Sequence, residues 1–314
     1  MFRFDRRQKV WSIAGIKVGG QPGENPPLLM ANMFQRGDKL LKSRKKLLFD
    51  RVKARERIRE LEAMSSATGV PALVGLVAPT LEEMRAYSEL FLGESDKLPF
   101  GIDTWTEKAR RQAARYVAEI GMQERFLYNS ITAWDEDIPD QVQELKDLGI
   151  KHVILQPFDM EDKRASGRIK SLRQMLEVVH EGDFESVLVD TTVMNLPAHG
   201  FSLTANRLVK EEFGLPAGNA PANGSYMWKE CLLQWGARAF RGMDAGLHAL
   251  SVVLWSDWLI YGPMTGTKRI FAAVAAATAV LSIMAYEEGA PLPESESHPL
   301  NLLFSEMAKQ LREG

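Results

Sequence analysis

Short apolar runs alternate with longer amphipathic stretches along almost the whole chain. Eight of the runs are continuously apolar rather than alternating, which is typical of parallel strands covered on both faces. The pattern therefore predicts eight strands, at residues 27–34, 72–78, 99–103, 126–130, 152–156, 186–191, 215–218 and 258–262.

A stretch with helical periodicity follows each predicted strand. Gly69, Gly121, Gly149 and Gly214 stand just past such stretches, where a left-handed glycine commonly ends a helix. The predicted helices are residues 39–68, 81–92, 106–121, 138–148, 167–180, 203–213, 225–240 and 267–288.

Eight strands alternating with eight helices form either a closed barrel or an open, doubly wound sheet. No GxGxxG segment follows the first strand, which disfavours the dinucleotide-binding version of the open sheet. No linker rich in Pro, Gly or Ser divides the chain. We therefore predict one α/β domain, a TIM (β/α)8 barrel spanning residues 1–314, with an N-terminal extension at residues 1–26 and a C-terminal tail at residues 289–314.

The composition narrows the classes of function. Lys and Arg number 39 against 41 Asp and Glu, a formal net charge of −2, which argues against nucleic acid as a partner. Cys231 is the only cysteine, so neither an intrachain disulfide nor a cysteine-rich metal site can form. The histidines lack the spacing of a helical metal site, and we expect no metal.

Two segments bear on localisation. Residues 1–9 are charged and lack the apolar core of a signal peptide, so we expect a cytoplasmic protein. Residues 270–286 are apolar but fall short of the ~20 residues that a membrane span needs. We expect them to form a buried barrel helix and predict no membrane span.

The carboxyl ends of the strands are where (β/α)8 barrels collect their catalytic and binding groups. Carboxylates accept paired N–H bonds from an aminopyrimidine edge and amides both donate and accept, so such groups suit a flat ring such as a reduced pterin. Strand-end Asp and Asn also cap helices, which is the alternative for each of them taken singly. The chain places no His, Cys or Lys among these positions, which are Asn32, Asp103, Asn129, Ser130, Gln156, Asp190, Thr191, Asn219, Asn223 and Tyr261.

Other segments allow two interpretations. The basic stretch at residues 36–59 is interpreted as a solvated helix face, with attraction for an acidic partner or a glutamate tail as the alternative. The glycine-rich segments at residues 218–224 and 262–267 could bind an anion at a helix N-terminus, although such glycines commonly serve turn geometry. Among the histidines, His199 alone lies near the predicted mouth.

Several segments resemble one known family, the MtrH-type subunits of tetrahydromethanopterin S-methyltransferase. Relatives within this family and the related pterin-binding barrels move methyl groups between corrinoid proteins and tetrahydrofolate. The resemblance spans essentially the whole chain and therefore implies the same fold and chemistry here. It is carried by residues 2–5 (FRFD), 13–26 (IAGIKVGGQPGENP), 128–131 (YNSI), 213–216 (FGLP), 259–263 (LIYGP) and 297–301 (SHPLN).

The resemblance also implies roles for individual residues. Two aspartates and an asparagine at strand ends grip the pterin in such barrels, and a further asparagine approaches N5. The predicted pterin contacts are Asp103, Asn129 and Asp190, with the strand-end residues Ser130 and Gln156 added to them. The predicted catalytic residue at N5 is Asn223, with Asn219 as the alternative.

The chain departs from the family pattern at three places. Residues 220–223 lack the histidine that MtrH proteins typically place before their asparagine, and Trp105 replaces a small residue. Residues 74–77 lack the aspartate often found on the second strand. These departures leave the identity of the pterin open.

The predicted function is methyl transfer between a protein-bound corrinoid (methylcobalamin) and N5 of tetrahydrofolate, toward methyltetrahydrofolate in one-carbon metabolism. The corrinoid, carried by a partner protein, supplies the reactive methyl group and this chain supplies orientation, so neither His nor Cys is required. A homodimer is compatible with a barrel of this type.

Three alternatives accompany this prediction. One is the same chemistry on tetrahydromethanopterin. Another is a non-catalytic subunit that only docks a corrinoid protein and has no affinity for pterin. The third is a dihydropteroate-synthase-like enzyme, which would need Lys and Arg at the strand ends.

Overall fold

A closed ring of parallel strands surrounded by helices forms the protein, and the computed structural model describes residues 1–313. The strands are β1 (Val10–Ile13), β2 (Ile16–Gly19), β3 (Leu28–Met33), β4 (Leu41–Ser43), β5 (Leu48–Phe49), β6 (Ala72–Val77), β7 (Phe100–Asp103), β8 (Leu127–Thr132), β9 (His152–Gln156), β10 (Ser186–Asp190), β11 (Ala217–Asn219) and β12 (Trp258–Pro263). The helices are α1 (Arg51–Thr68), α2 (Leu81–Leu92), α3 (Glu107–Glu119), α4 (Ile138–Asp147), α5 (Ala165–Val179), α6 (His199–Glu212), α7 (Pro221–Met227), α8 (Lys229–Val253), α9 (Thr267–Glu287), α10 (Pro299–Leu303) and α11 (Ser305–Glu313).

The barrel sheet has eight strands in the order β7-β6-β3-β12-β11-β10-β9-β8. All neighbours in it pair in parallel, and a parallel bridge between Phe100 and Phe126 joins the two ends. The predicted (β/α)8 barrel is confirmed. All eight predicted strands are present, and β9 and α2 have the predicted bounds.

The predicted helix at residues 39–68 is wrong in its first part. Residues 41–49 form the antiparallel β4–β5 hairpin, in which Leu47 has a φ of 51° that a helix does not allow. Phe49 packs edge-on against Phe34 and Tyr87, with ring centroids 5.2 and 5.3 Å away. The helix α1 begins only after Asp50, whose carboxylate accepts the backbone N–H of Lys53 at 3.1 Å.

The predicted helix at residues 225–240 is likewise divided. Residues 221–227 form the short α7, and α8 follows it after Trp228. Within α8, Gly236 has φ 80° and ψ 176°, a conformation that only glycine adopts readily and that breaks the helix. The periodicity of the apolar residues continues across both breaks, which is why the sequence pattern does not reveal them.

The N-terminal hairpin of β1 and β2 closes the amino end of the barrel. Its Ile13 and Val18 are fully buried. They join the apolar residues that fill the lower interior, a cluster made with Leu28, Met30, Leu73, Leu127, Ile154, Leu188 and Trp258. The predicted N-terminal extension is therefore part of the core packing.

The GGQPGENP segment lies at this amino end, before β3. Gln21 exchanges two hydrogen bonds with the backbone of Phe4, at 2.8 and 2.9 Å. The buried ammonium of Lys210 donates to the Gly20 carbonyl at 3.0 Å and to the Asp257 carboxylate at 2.7 Å. The most specific family segment of the sequence thus ties the N-terminus to the barrel, at the end opposite the mouth.

Residues 264–287, which contain α9, are the one helical stretch in the described chain that is long and apolar enough to cross a membrane. Of its most apolar window, 56% is buried inside the fold. The helix packs against α1, α8 and α10, and its inner face contributes Ile270, Phe271 and Val274 to the main core. It forms part of the barrel wall.

Candidate functional site at the barrel mouth

Polar side chains form the uppermost inward-facing layer of the barrel. Residues two apart on a strand face the same side, and Met30, Leu127, Ile154 and Leu188 belong to the interior cluster. The residues two positions further, at the carboxyl ends of β3, β8, β9 and β10, therefore face inward as well. With the corresponding residue of β7 they are Asn32, Asn129, Gln156, Asp190 and Asp103.

Glycine makes room for this layer on β6. A Cβ atom added to Gly75 would lie 2.7 Å from Oδ1 of Asn32. The Asn32 amide can therefore turn toward β7, where its Nδ2 donates to Oδ2 of Asp103 at 3.0 Å. Asn32 thus orients one of the two aspartates.

A second row of hydrogen bonds runs across β8, β9 and β10. Ser130 Oγ donates to Oε1 of Gln156 at 3.4 Å, and Gln156 Nε2 donates to Oγ1 of Thr192 at 3.3 Å. The backbone N–H of Thr192 donates to Oδ1 of Asp190 at 2.8 Å. The half-buried Asn129 makes no side-chain hydrogen bond within residues 1–313 and is free to bind a ligand.

Both aspartates are held in an environment that disfavours their charge. Burial raises the pKa of Asp190 to about 6, against the lowering effects of the Thr192 N–H and the Arg168 guanidinium, and the neighbouring Asp103 carboxylate raises it further. Burial also raises the pKa of Asp103, although the Asn32 amide and Arg110 oppose this. Neither carboxylate forms a salt bridge with any described residue.

Arg168 is a functional residue that the sequence analysis missed. Its guanidinium is buried and donates to the carbonyls of Thr191 at 2.5 Å and Thr192 at 3.0 Å. It thereby fixes the loop whose N–H binds Asp190. Because its partners are backbone atoms of another loop, no local sequence signal could have identified it.

The two candidate asparagines for N5 have different positions. Gly218 faces the interior, where an added Cβ would lie 2.7 Å from the Trp258 ring, so the next residue, Asn219, faces outward. Asn219 is buried and donates to Ser202 of α6 at 2.9 Å. Asn223 is exposed on α7 at the mouth. The structure therefore removes Asn219 from the candidates for ligand contact and leaves Asn223.

Three further residues singled out in the sequence are directed into the protein. Thr191 bonds to Ser202 and Asn206, each at 2.7 Å, and Tyr261 bonds to Thr267 at 2.8 Å. His199 is buried and bonded to Ser251 at 3.0 Å, and burial lowers its pKa to about 4. These side chains support the wall of the barrel behind the mouth.

The basic stretch at residues 36–59 is divided between hairpin and helix. On α1, Arg57 pairs with Asp38 at 2.7 Å, and Arg55 and Arg59 pair with Glu94 at 3.6 and 2.5 Å. This pairing supports the interpretation of the helical part as a solvated face.

The fold and the mouth define the protein as a barrel of the pterin-binding class. Dihydropteroate synthases have the same fold: the Yersinia pestis enzyme with a pterine-sulfa conjugate aligns with a TM-score of 0.60 at 12% identity, over 88% of this chain and 100% of that one. The Coxiella burnetii enzyme with pteroic acid aligns with a TM-score of 0.60 at 13% identity, over 88% and 100%.

The sequence comparisons identify the family. The profile of the tetrahydromethanopterin S-methyltransferase MtrH subunit matches residues 6–292. The corresponding subunit of that enzyme from Methanosarcina mazei is 32% identical over 96% of this chain and 100% of its own length, and that of Methanopyrus kandleri is 30% identical over 95% and 98%. The corresponding subunit of a putative methyltransferase, mtx, of Methanosarcina acetivorans is 30% identical over 96% and 100%. The chain belongs to the MtrH family and is a methyltransferase, as the sequence resemblance indicated.

We predict that Asp190→Asn stabilises the protein at neutral and higher pH. Because the folded-state pKa is raised, folding favours the protonated carboxyl. The wild type therefore loses stability as pH rises from about 4 through about 6, a loss of roughly 2 to 3 kcal/mol for a shift of this size. Asparagine keeps the acceptor for the Thr192 N–H without the charge.

Urea unfolding of wild type and variant between pH 4.5 and 8 measures this effect. The stability gain of the variant should grow with pH and level off above about 6.5. The exposed Asp147, replaced by Asn, is the control for the substitution itself. A gain that is independent of pH would contradict the assignment.

Proposed function

We propose that this protein transfers a methyl group between a protein-bound corrinoid and N5 of a reduced pterin. The observation that supports this most is the pair of buried carboxylates, Asp103 and Asp190, which have no salt-bridge partner among residues 1–313. Carboxylates held in this way gain free energy from a ligand that supplies N–H donors. A pterin supplies them through its 2-amino group and ring N–H.

The reduced pterin that we propose is tetrahydromethanopterin or a close analogue. The relatives with the greatest coverage carry that pterin in their names. The sequence analysis favoured tetrahydrofolate and held tetrahydromethanopterin as the alternative, and the comparisons favour the alternative. Tetrahydrofolate remains the second candidate because residues 220–223 lack the histidine that MtrH proteins place before their asparagine.

The chain's own residues orient the pterin. Asp103, held by Asn32, and Asp190, held by the Thr192 N–H, accept the N–H groups of the aminopyrimidine edge. The free amide of Asn129 binds the carbonyl side of the ring. Gln156 and Ser130 keep the Thr192 loop in register with β8 and complete the polar layer.

Asn223 is the residue that we place at N5. Its amide accepts the N5–H before transfer and donates to N5 in the reverse direction, without a shifted pKa. The corrinoid, when its carrier protein is docked, supplies the methyl group as electrophile and retains the electron pair of the broken Co–C bond. The N5 lone pair forms the new N–C bond and the N5 proton leaves to solvent. Holding the ring in line with the methyl group is the main contribution of this chain.

The rim of the mouth supports a protein partner. Five consecutive strand-to-helix connections, those after β7, β8, β9, β10 and β11, each expose a large apolar side chain. Exposed apolar groups of this kind mark a surface that another protein covers. They are Trp105, Trp134, Met160, Met194 and Met227, between 49% and 88% exposed.

A direct test combines the purified protein with its methylated corrinoid protein and one pterin at a time. We expect loss of the methylcobalamin absorbance with tetrahydromethanopterin, and slower or no loss with tetrahydrofolate. Asp103→Ala should weaken binding of the pterin by about 1 to 3 kcal/mol in calorimetric titration, because ligand N–H groups lose their acceptor.

Asp147→Ala, which removes an exposed carboxylate on α4, is the matched control for that titration. Turnover with neither pterin would refute the catalytic proposal. Absence of any pterin affinity would favour the non-catalytic docking subunit. The dihydropteroate-synthase-like alternative is disfavoured because no Lys or Arg is among the five inward strand-end residues.

We predict that Trp105→Ala separates docking from chemistry. Trp105 is 88% exposed beside Asp103, so its removal should raise KM for the corrinoid protein by on the order of 10-fold. The rate with free methylcobalamin should change little. Steady-state kinetics with the two donors measures this, with Leu303→Ala on α10 as the control. An equal loss with both donors would argue against a docking role.

A further inference from the structure

The short helix α7 is held so that only one residue of its first five is exposed. Pro221, Ala222, Gly224 and Ser225 are buried, and Asn223 between them is exposed. A single residue, Ala220, separates this helix from β11, and no side chain caps its N-terminus. Its orientation therefore depends on contacts with its neighbours.

Close packing fixes two sides of α7. A Cβ atom added to Gly262 of β12 would lie 3.2 Å from the Ala222 methyl group. On the other side, a Cβ at Gly224 would lie 3.4 Å from Leu196 and 3.4 Å from Val193, in the loop after β10. The helix is thus wedged between two walls of the mouth, and these contacts prevent lateral shifts.

A buried ion pair provides the third contact. Ser225 Oγ donates to Oδ1 of Asp244 on α8 at 2.6 Å. The other oxygen of Asp244 accepts two N–H groups of Arg269 on α9, at 2.5 and 3.0 Å. Asp244 is fully buried, so its position is determined by these bonds and not by solvent.

The residue after Ser225 reinforces the same contact. The Tyr226 ring packs edge-on against Phe240, with centroids 5.0 Å apart, and its hydroxyl lies 3.4 Å from Nη2 of Arg269. Because α8 and α9 both belong to the barrel wall, the Asp244–Arg269 pair connects α7 to the rigid scaffold. A hydrogen bond to a buried, paired carboxylate has a strong directional preference.

We propose that Asp244, held by Arg269, is a positioning residue that sets the orientation of Asn223 through Ser225. The inference rests on the proposed function, in which Asn223 contacts N5. The pterin itself is bound on the opposite strands, by Asp103, Asp190 and Asn129. Loss of the Ser225 bond should therefore affect the transfer step and leave ligand binding intact.

Ser225→Ala is the informative variant because it removes one hydroxyl and leaves the Asp244–Arg269 pair complete. We expect kcat to fall by on the order of 10-fold, since a small misplacement of a catalytic group has effects of this size or larger. KM for the pterin should stay within about twofold. Ser225→Thr, which retains the hydroxyl, should recover most of the lost rate.

A double-mutant cycle with Asn223→Ala tests whether the effect passes through Asn223. In the Asn223→Ala background, Ser225→Ala should cause no further loss of kcat. Ser251→Ala, which removes another buried hydroxyl of α8 that bonds to His199, is the matched control and should leave kcat unchanged. Additive losses in the cycle would overturn the proposal.

Hydrogen exchange gives a readout that does not require activity. The amides of residues 221–227 should exchange faster in Ser225→Ala than in wild type, with no change in the strands of the barrel. Unchanged exchange of α7 would overturn the positioning role even if the wild type is active. Faster exchange together with an inactive wild type would refute the proposed function while preserving the structural connection.

Discussion

Two carboxylates held out of reach of bulk water are the constraint on which the site depends. Asp103 and Asp190 share the mouth of the barrel, where burial raises the pKa of both and the Asp103 charge adds to the effect on Asp190. Charges in such a place are stable only with hydrogen-bond donors around them. The protein supplies one donor to each, from Asn32 and from the Thr192 N–H, and leaves their remaining acceptor capacity to a ligand.

The rest of the barrel keeps this costly arrangement in place. The amino end is filled with apolar side chains and closed by the β1–β2 hairpin, which makes the scaffold rigid below the site. Above it, the buried Arg168 fixes the loop that carries Thr192. The GGQPGENP segment belongs to the closed end, so the strongest family signal of the sequence serves stability, and the ligand-binding residues lie among less distinctive strand ends.

The strands and most helices could be predicted because each strand is a separate apolar run and period-two alternation then determines which strand-end residues face inward. That rule also placed Asp103, Asn129, Gln156 and Asp190 in one layer. The hairpin at residues 41–49 and the break at Gly236 could not be predicted, because charged and apolar residues there also fit a helix. The outward direction of Asn219 depends on the pairing of β11, and the buried pair of Asp244 with Arg269 joins two distant helices.

The titration of the Asp190 carboxyl group, followed by carbon-13 NMR with and without saturating tetrahydromethanopterin or tetrahydrofolate, tests the central claim most directly. In the free protein the account predicts a pKa near 6, and in the complex a clearly lower pKa, because the ligand N–H groups stabilise the ionised form. A pKa that is the same in the free protein and in a saturated complex would contradict the account, since the ligand would then bind without using this carboxylate.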